Sequence, residues 1–333
     1  INLQNMKFAL LVIFSFTIVI EGIGALLLFL NLRHSVPFAE AVYSSIFHSI
    51  AAFCNAGFSI YSDNLTAFSS HPYILSVIMA LIILGGLGFI VIYEIVDIAL
   101  GKRNVVGKIV LSVHTRIALA GTAIFILGGA FFILLLEGGS LFAGMPAGDK
   151  VLNAFFLSVA SRTAGFSTVD LGELSNPALL LMAFLMFVGA CPGSTAGGVK
   201  IHVFFALMAH IGSKIKGRSS RSIFKRNISS NILDRAATIF IYAIFLLVIA
   251  VFVLQITENL DSSQPVAVER GRFLDTLFEA VSAFGTVGLS TGLTAALSCW
   301  GKVILMILMF IGRVGPLTLG IALHMQQQRK VVY

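Results

Sequence analysis

Charge is scarce in this 333-residue chain, with Asp, Glu, Lys and Arg together at 11%. Ordinary soluble domains carry roughly 25%. So little charge cannot keep a chain of this size dissolved, which excludes a soluble enzyme or binding module. Cysteine is scarce too. Cys54, Cys191 and Cys299 have no metal-ligand spacing and form no disulfide framework. No His-Glu-x-x-His motif, nucleotide loop or carboxylate cluster is present, so an enzyme finds no support. The basic residues follow the linkers between apolar runs instead of forming a nucleic-acid footprint.

Apolar sequence is abundant. Hydrophobic residues make up 58% of the chain. Apolar spans at 8–30, 73–99, 117–136, 178–212, 236–256 and 302–324 are each long enough to cross a hydrocarbon core. Between them lie shorter apolar runs at 38–53, 151–161 and 273–284. These are too short to span and read as re-entrant helices. An all-α membrane protein is expected. Excess Lys and Arg marks the cytoplasmic side. Lys7, the 100–116 and 213–235 linkers and the C-terminal tail carry most of the 22 basic residues, whereas Glu137, Asp149, Asp170, Glu173 and Asp261 lie in the opposite loops. Both termini are therefore expected in the cytoplasm.

The order of span, short helix, glycine loop and span occurs three times, in parallel. Gly57, Gly165 and Gly288 align the copies: Phe47, Phe155 and Phe278 stand ten residues before them, and Ala52, Ala160 and Ala283 five before. The loops read Asn55-Ala56-Gly57-Phe58, Thr163-Ala164-Gly165-Phe166 and Thr286-Val287-Gly288-Leu289. Internal repetition sets the architecture before any single motif does. The expected units are 1–101, 102–217 and 218–333. Irregular backbone at membrane depth survives only where it is buried or lines a water-filled path. Carbonyls and helix C-terminal ends at that depth favour a dehydrated cation, as in potassium-channel filters. The loops have no acidic ring, so a large monovalent ion suits them better than Mg²⁺.

The span 178–212 is interrupted by Gly189-Ala190-Cys191-Pro192-Gly193-Ser194-Thr195-Ala196-Gly197-Gly198. Pro192 removes a helix donor and the glycines weaken the helix. The segment is too polar for lipid and should line a cavity beneath the loops, with Ser194 and Thr195 able to satisfy freed backbone groups. Arg313 lies within the last span, where a charge is costly and faces a cavity or a partner. Lys200 reads as snorkelling to the cytoplasmic edge. Arg162 is a candidate brace of the loops through Glu279. His48 and His202 read as satisfied helix residues.

These loops, the 189–198 segment and Phe310-Ile311-Gly312-Arg313-Val314-Gly315-Pro316 resemble the Trk/Ktr/HKT superfamily of cation translocation proteins, most closely its bacterial KtrB branch. The resemblance runs over essentially the whole chain. It implies four units of outer helix, pore helix and inner helix around a pseudo-fourfold pore, with loop carbonyls as the potassium filter. It also implies that 189–198 is a gate loop and that Arg313 lies beside it. This chain holds three units, matching the second, third and fourth; a first unit is expected before Ile1. The implied function is K⁺ uptake at the cell membrane, with Na⁺ as a candidate second ion. A secondary Na⁺/K⁺ symporter using the same site is the alternative. The implied partners are a second copy of the chain and a cytosolic ring of nucleotide-binding regulatory subunits. The nucleotide would sit on the ring, and the 213–235 linker and Gln326–Tyr333 are candidate contacts. No covalent cofactor is implied.

Overall fold

A computed structural model describes residues 3–99, 111–216, 222–223, 226–227, 230–259 and 272–315. Twelve α-helices follow in chain order: α1 (Leu3–Leu32), α2 (Phe38–Phe53), α3 (Pro72–Leu87), α4 (Phe89–Ala99), α5 (Val113–Glu137), α6 (Ala147–Ala160), α7 (Asn176–Phe187), α8 (Ile201–Ile215), α9 (Ser230–Asn259), α10 (Arg272–Gly285), α11 (Leu293–Ala296) and α12 (Cys299–Val314). A two-residue antiparallel pair, Ser222–Ile223 with Arg226–Asn227, precedes α9.

The three short apolar runs are the helices α2, α6 and α10, each ending at a glycine loop. Each packs against the long helix before it: α2 on α1, α6 on α5, and α10 on α9. The shorter helix of each copy leans on the next copy, α3 on α6 and α7 on α10. Two large buried clusters follow from this, beside a small one of Ala206, Leu233 and Ala236 between α8 and α9. One is built mainly from α5–α10 and α12, the other from α1–α3 together with α6.

Local chemistry sets the helix starts. Ser112, Ser175 and Ser298 cap α5, α7 and α12 by accepting a backbone N–H three residues on. Two of these caps are tied to the end of the preceding long helix. Glu137 accepts from the Ser175 N–H at 2.8 Å, and Glu258 from the Ser298 N–H at 3.0 Å. The outer and inner helices of these two copies thus meet through an acid at one end and a serine at the other.

Among the described residues, three single helices are long and apolar enough to cross a membrane: Leu11–Leu32, Val113–Glu137 and Ile232–Glu258. The other three expected spans take other forms. The 73–99 span breaks at Gly88, where α3 and α4 meet at 99°. Gly88 has φ +81°, a conformation open to glycine because it lacks a Cβ. The 178–212 span divides into α7 and α8 around an irregular segment. The helix within the 302–324 span ends at Val314, and the rest of that span lies outside the described residues.

Candidate ion pathway

The three loops share a backbone conformation. Asn55, Thr163 and Thr286 have φ of +50°, +71° and +51°, and the glycines two residues later have +69°, +79° and +93°. Positive φ alternating with negative φ turns successive peptide planes to one side. For a β-branched threonine such a φ is an outlier, costing of order 1–3 kcal/mol. The strain recurs at the same offset from each glycine. It is held partly by the helix ends: the Ala56 and Val287 N–H groups donate to Ala51 and Ser282 carbonyls at 2.9 Å, and Gly165 N–H to Ala160 at 3.2 Å.

The loops converge. A Cβ on Gly57 would lie 2.7 Å from the Ala164 carbonyl oxygen and 2.8 Å from the Gly165 Cα. A Cβ on Gly165 would collide with the Val287 carbonyl, whereas one on Gly288 would meet Gly165 Cα at 3.8 Å. The side chains of Asn55, Thr163 and Thr286 carry buried polar atoms with no hydrogen-bond partner among the described residues. Buried polar atoms need water, an ion or a protein partner. The residues after the glycines differ: Phe166 and Leu289 are buried, but Phe58 is 68% exposed.

The backs of the loops are braced by buried side chains. The Glu279 carboxylate accepts from Ser290 Oγ at 2.6 Å, from the Thr291 N–H at 3.0 Å and from the Thr294 hydroxyl. Asn64 Nδ2 donates to the Gly165 carbonyl at 3.4 Å. Arg162 is braced elsewhere than expected: its Nη2 donates to the Gly189 carbonyl at 3.0 Å, and its guanidinium lies 5.1 Å over the Phe125 ring. It therefore ties the end of α6 to the broken segment. Glu279 serves its own loop.

The broken segment, 188–200, packs against the loop-bearing ends of α2 and α10 and against α3. Val188 and Val199 form a parallel bridge that holds its ends together. The Cys191 and Thr195 N–H groups donate to the Gly86 and Gly85 carbonyls of α3, at 3.1 and 3.4 Å. Thr195 Oγ1 donates to the Phe53 carbonyl at 3.2 Å, and Ser194 Oγ to Cys191 at 2.6 Å. Gly197 sits against the Gly285 carbonyl and the Thr286 hydroxyl, leaving no room for a Cβ. Gly193, with φ +74°, rests on the Gly88 bend, and the Phe89 N–H donates to its carbonyl at 3.3 Å. Pro192 joins Cys191 to this turn. Ala190 and Ala196 are buried, and Gly198 has φ +68°.

Besides Arg162, two more cations meet this segment. Arg313 Nη1 donates to the Thr195 carbonyl. Lys200 Nζ donates to the Ala196 carbonyl, so it caps the segment and does not snorkel to the edge. His48 is satisfied by Ser44 and Ser59 and stacks on Tyr61. His202 contacts the His114 carbonyl at 3.0 Å and stacks on the His114 ring at 4.2 Å. Sequence reasoning missed His114, Cys54 with Glu21, and the Gly88 bend. An acid inside an apolar span was the available signal for Glu21.

A family model described as cation transport protein, TrkH, matches residues 1–332. The chain belongs to this family. It is 36% identical to the potassium/sodium uptake protein NtpJ of Enterococcus hirae, over 99% of this chain and 71% of that one. It is 35% identical to the Ktr system potassium uptake protein B of Bacillus subtilis, over 97% of this chain and 69% of that one. The fold matches the crystal structure of the potassium transporter TrkH from Vibrio parahaemolyticus with a TM-score of 0.70 at 19% identity, covering 96% of this chain and 64% of that one. The chain thus spans about two thirds of the length of these relatives. It is a multi-pass membrane protein of a cation transporter family.

Proposed function

We propose that this chain forms three walls of a potassium uptake pathway. The backbones of Asn55–Phe58, Thr163–Phe166 and Thr286–Leu289 are the filter. The observation that carries this reading is the shared left-handed pattern of the three loops, with their glycines packed against one another. Carbonyls turned to one side, with the C-terminal ends of α2, α6 and α10 behind them, replace the water shell of a monovalent cation. The units 1–101, 102–217 and 218–333 each supply one wall. The α2 side, where Tyr43, Ile46, Ile50 and Phe58 are exposed, is the face that a further wall of the pathway would cover.

The segment Gly189–Gly198 is the gate. It lies beneath the filter, held by hydrogen bonds to α3 and Phe53 carbonyls and by the Arg162 and Arg313 guanidinium groups. A fixed positive charge there opposes cation flow until the loop moves. The protein lies in the cell membrane with both termini in the cytoplasm. It works as a homodimer on a cytosolic nucleotide-binding regulatory ring, which contacts the 213–235 linker and the tail. The relatives' names support K⁺ as the cargo, and that of NtpJ adds Na⁺ as a second ion.

The decisive experiment expresses the complete reading frame in cells lacking potassium uptake, with and without Gly288→Ser, in media with and without sodium. Restored K⁺ uptake that Gly288→Ser diminishes, at unchanged membrane level, is the expected result. Full activity of the Gly288→Ser form would remove the filter assignment.

A further inference from the structure

Glu21 is an acid in the middle of the apolar helix Leu11–Leu32. The inward stripe of α1 runs through Val12, Phe16, Thr17, Glu21, Gly24 and Leu28, at the spacing of one helix face. Val12, Phe16 and Thr17 line a cavity of about 680 Å³ whose other walls include Phe53, Gly88, Thr195 and Arg313. Glu21 stands one turn above Thr17 on the same stripe. It is half-buried, and its Oε1 accepts from Cys54 Sγ at 3.7 Å.

The fold does not require an acid at this place. Ser49 Oγ donates to the Glu21 backbone carbonyl at 2.6 Å and packs into the space left by Gly24. In the next copy, Ser158 Oγ donates to the Ile126 carbonyl at 2.8 Å and packs against Gly129 in the same way. Glu21 is therefore the counterpart of Ile126, a buried apolar residue. An isoleucine serves the helix packing, so the carboxylate has another reason to be there. An ionisable group at membrane depth faces a cavity or a partner of opposite charge. The cavity that begins one turn along the stripe from Glu21 is lined by Arg313, whose partner is the Thr195 carbonyl of the gate segment. Any movement of that segment away from the filter takes this acceptor with it and leaves the guanidinium free to find another.

We propose that Glu21 is the counter-charge that receives Arg313 when the gate segment leaves the filter. It is a positioning residue for the open state. It draws the guanidinium towards α1 and offsets the positive charge that would repel the passing cation. This rests on the gate reading above, and the two are separable by experiment.

The test measures initial K⁺ uptake by the complete transporter, normalised to membrane-inserted protein, for the wild type, Glu21→Gln, Arg313→Ala and the double variant. Raised uptake by Arg313→Ala tests the gate reading by itself. With Arg313 present, Glu21→Gln is expected to slow uptake about tenfold, within the usual range of coupling between two sites. Glu21→Asp should restore most of the rate. In the Arg313→Ala background the Glu21→Gln change should alter uptake by about twofold at most, because coupled residues are non-additive. An equal loss in both backgrounds would overturn the proposal and make Glu21 a cation site independent of Arg313. An unchanged rate for Glu21→Gln would also overturn it. If Glu21→Gln fails to reach the membrane, the exchange Glu21→Arg with Arg313→Glu decides. Recovered insertion and uptake support the pairing, and no recovery refutes it.

Discussion

The three loop glycines proposed to form the filter are unequal as individual residues, because their surroundings differ. A Cβ on Gly165 would collide with the Val287 carbonyl, one on Gly57 would crowd Ala164, and one on Gly288 has 3.8 Å of clearance. All three have positive φ, so any side chain adds strain. Alanine substitution should therefore cost K⁺ uptake in the order Gly165, Gly57, Gly288. The Gly165→Ala loss is expected at about a hundredfold, the effect of an ångström-scale misplacement at a site of chemistry or transport. Uptake kinetics normalised to membrane level will rank them. Gly312 is a different case. It packs on the Phe284 carbonyl at the end of α10, again with no room for a Cβ. Small residues let helices approach within the membrane, and Gly312→Ala should separate α12 from α10. Its expected consequence is a lower detergent melting temperature, by a stability loss of roughly 1–3 kcal/mol.

At the scale of elements, the proposed gate segment Gly189–Gly198 and the α3–α4 bend act as one contact. Gly88 turns α4 aside by 99°, and a Cβ there would sit 2.9 Å from the Gly193 carbonyl group. Gly88→Ala pushes on Gly193 and should weaken the seat of the segment, raising K⁺ flux severalfold, about the size of a typical coupling energy. Deleting Ala190–Gly198 should raise flux further. Patch or flux recordings on reconstituted protein will compare the two. A folded, inserted deletion with unchanged or abolished flux would count against a gate. Much of this element was legible in the chain. Pro192 with its glycines announced a broken helix, and the alignment of Gly57, Gly165 and Gly288 announced three equivalent loops. The Gly88 bend was not legible, because Gly85, Gly86 and Gly88 all fall in one apolar run and transmembrane helices tolerate glycine. Only contact with Gly193 distinguishes Gly88 from its neighbours.

Sidedness belongs to the whole molecule, and a native thiol can test it. Cys299 is exposed at the start of α12, whereas Cys191 is buried and Cys54 half-buried. With cytoplasmic termini, the α11–α12 junction faces outward. A membrane-impermeant maleimide should label Cys299 on intact cells expressing the complete protein, and Cys299→Ser should abolish the label. Labelling confined to inside-out vesicles would reverse the orientation.

Composition, apolar run length and the repeated glycine spacing determined that this is a helical membrane protein with three matched loops. Those properties depend on solvent and local backbone geometry, which each residue carries with it. Tertiary structure alone decided which backbone groups the charged residues meet. Arg162 reaches Gly189 and not Glu279, Lys200 caps Ala196 and not the membrane edge, and Arg313 finds Thr195. A charge within the protein takes whichever acceptor the packing leaves open. Which carbonyl that is depends on helix breaks and crossings remote in the chain.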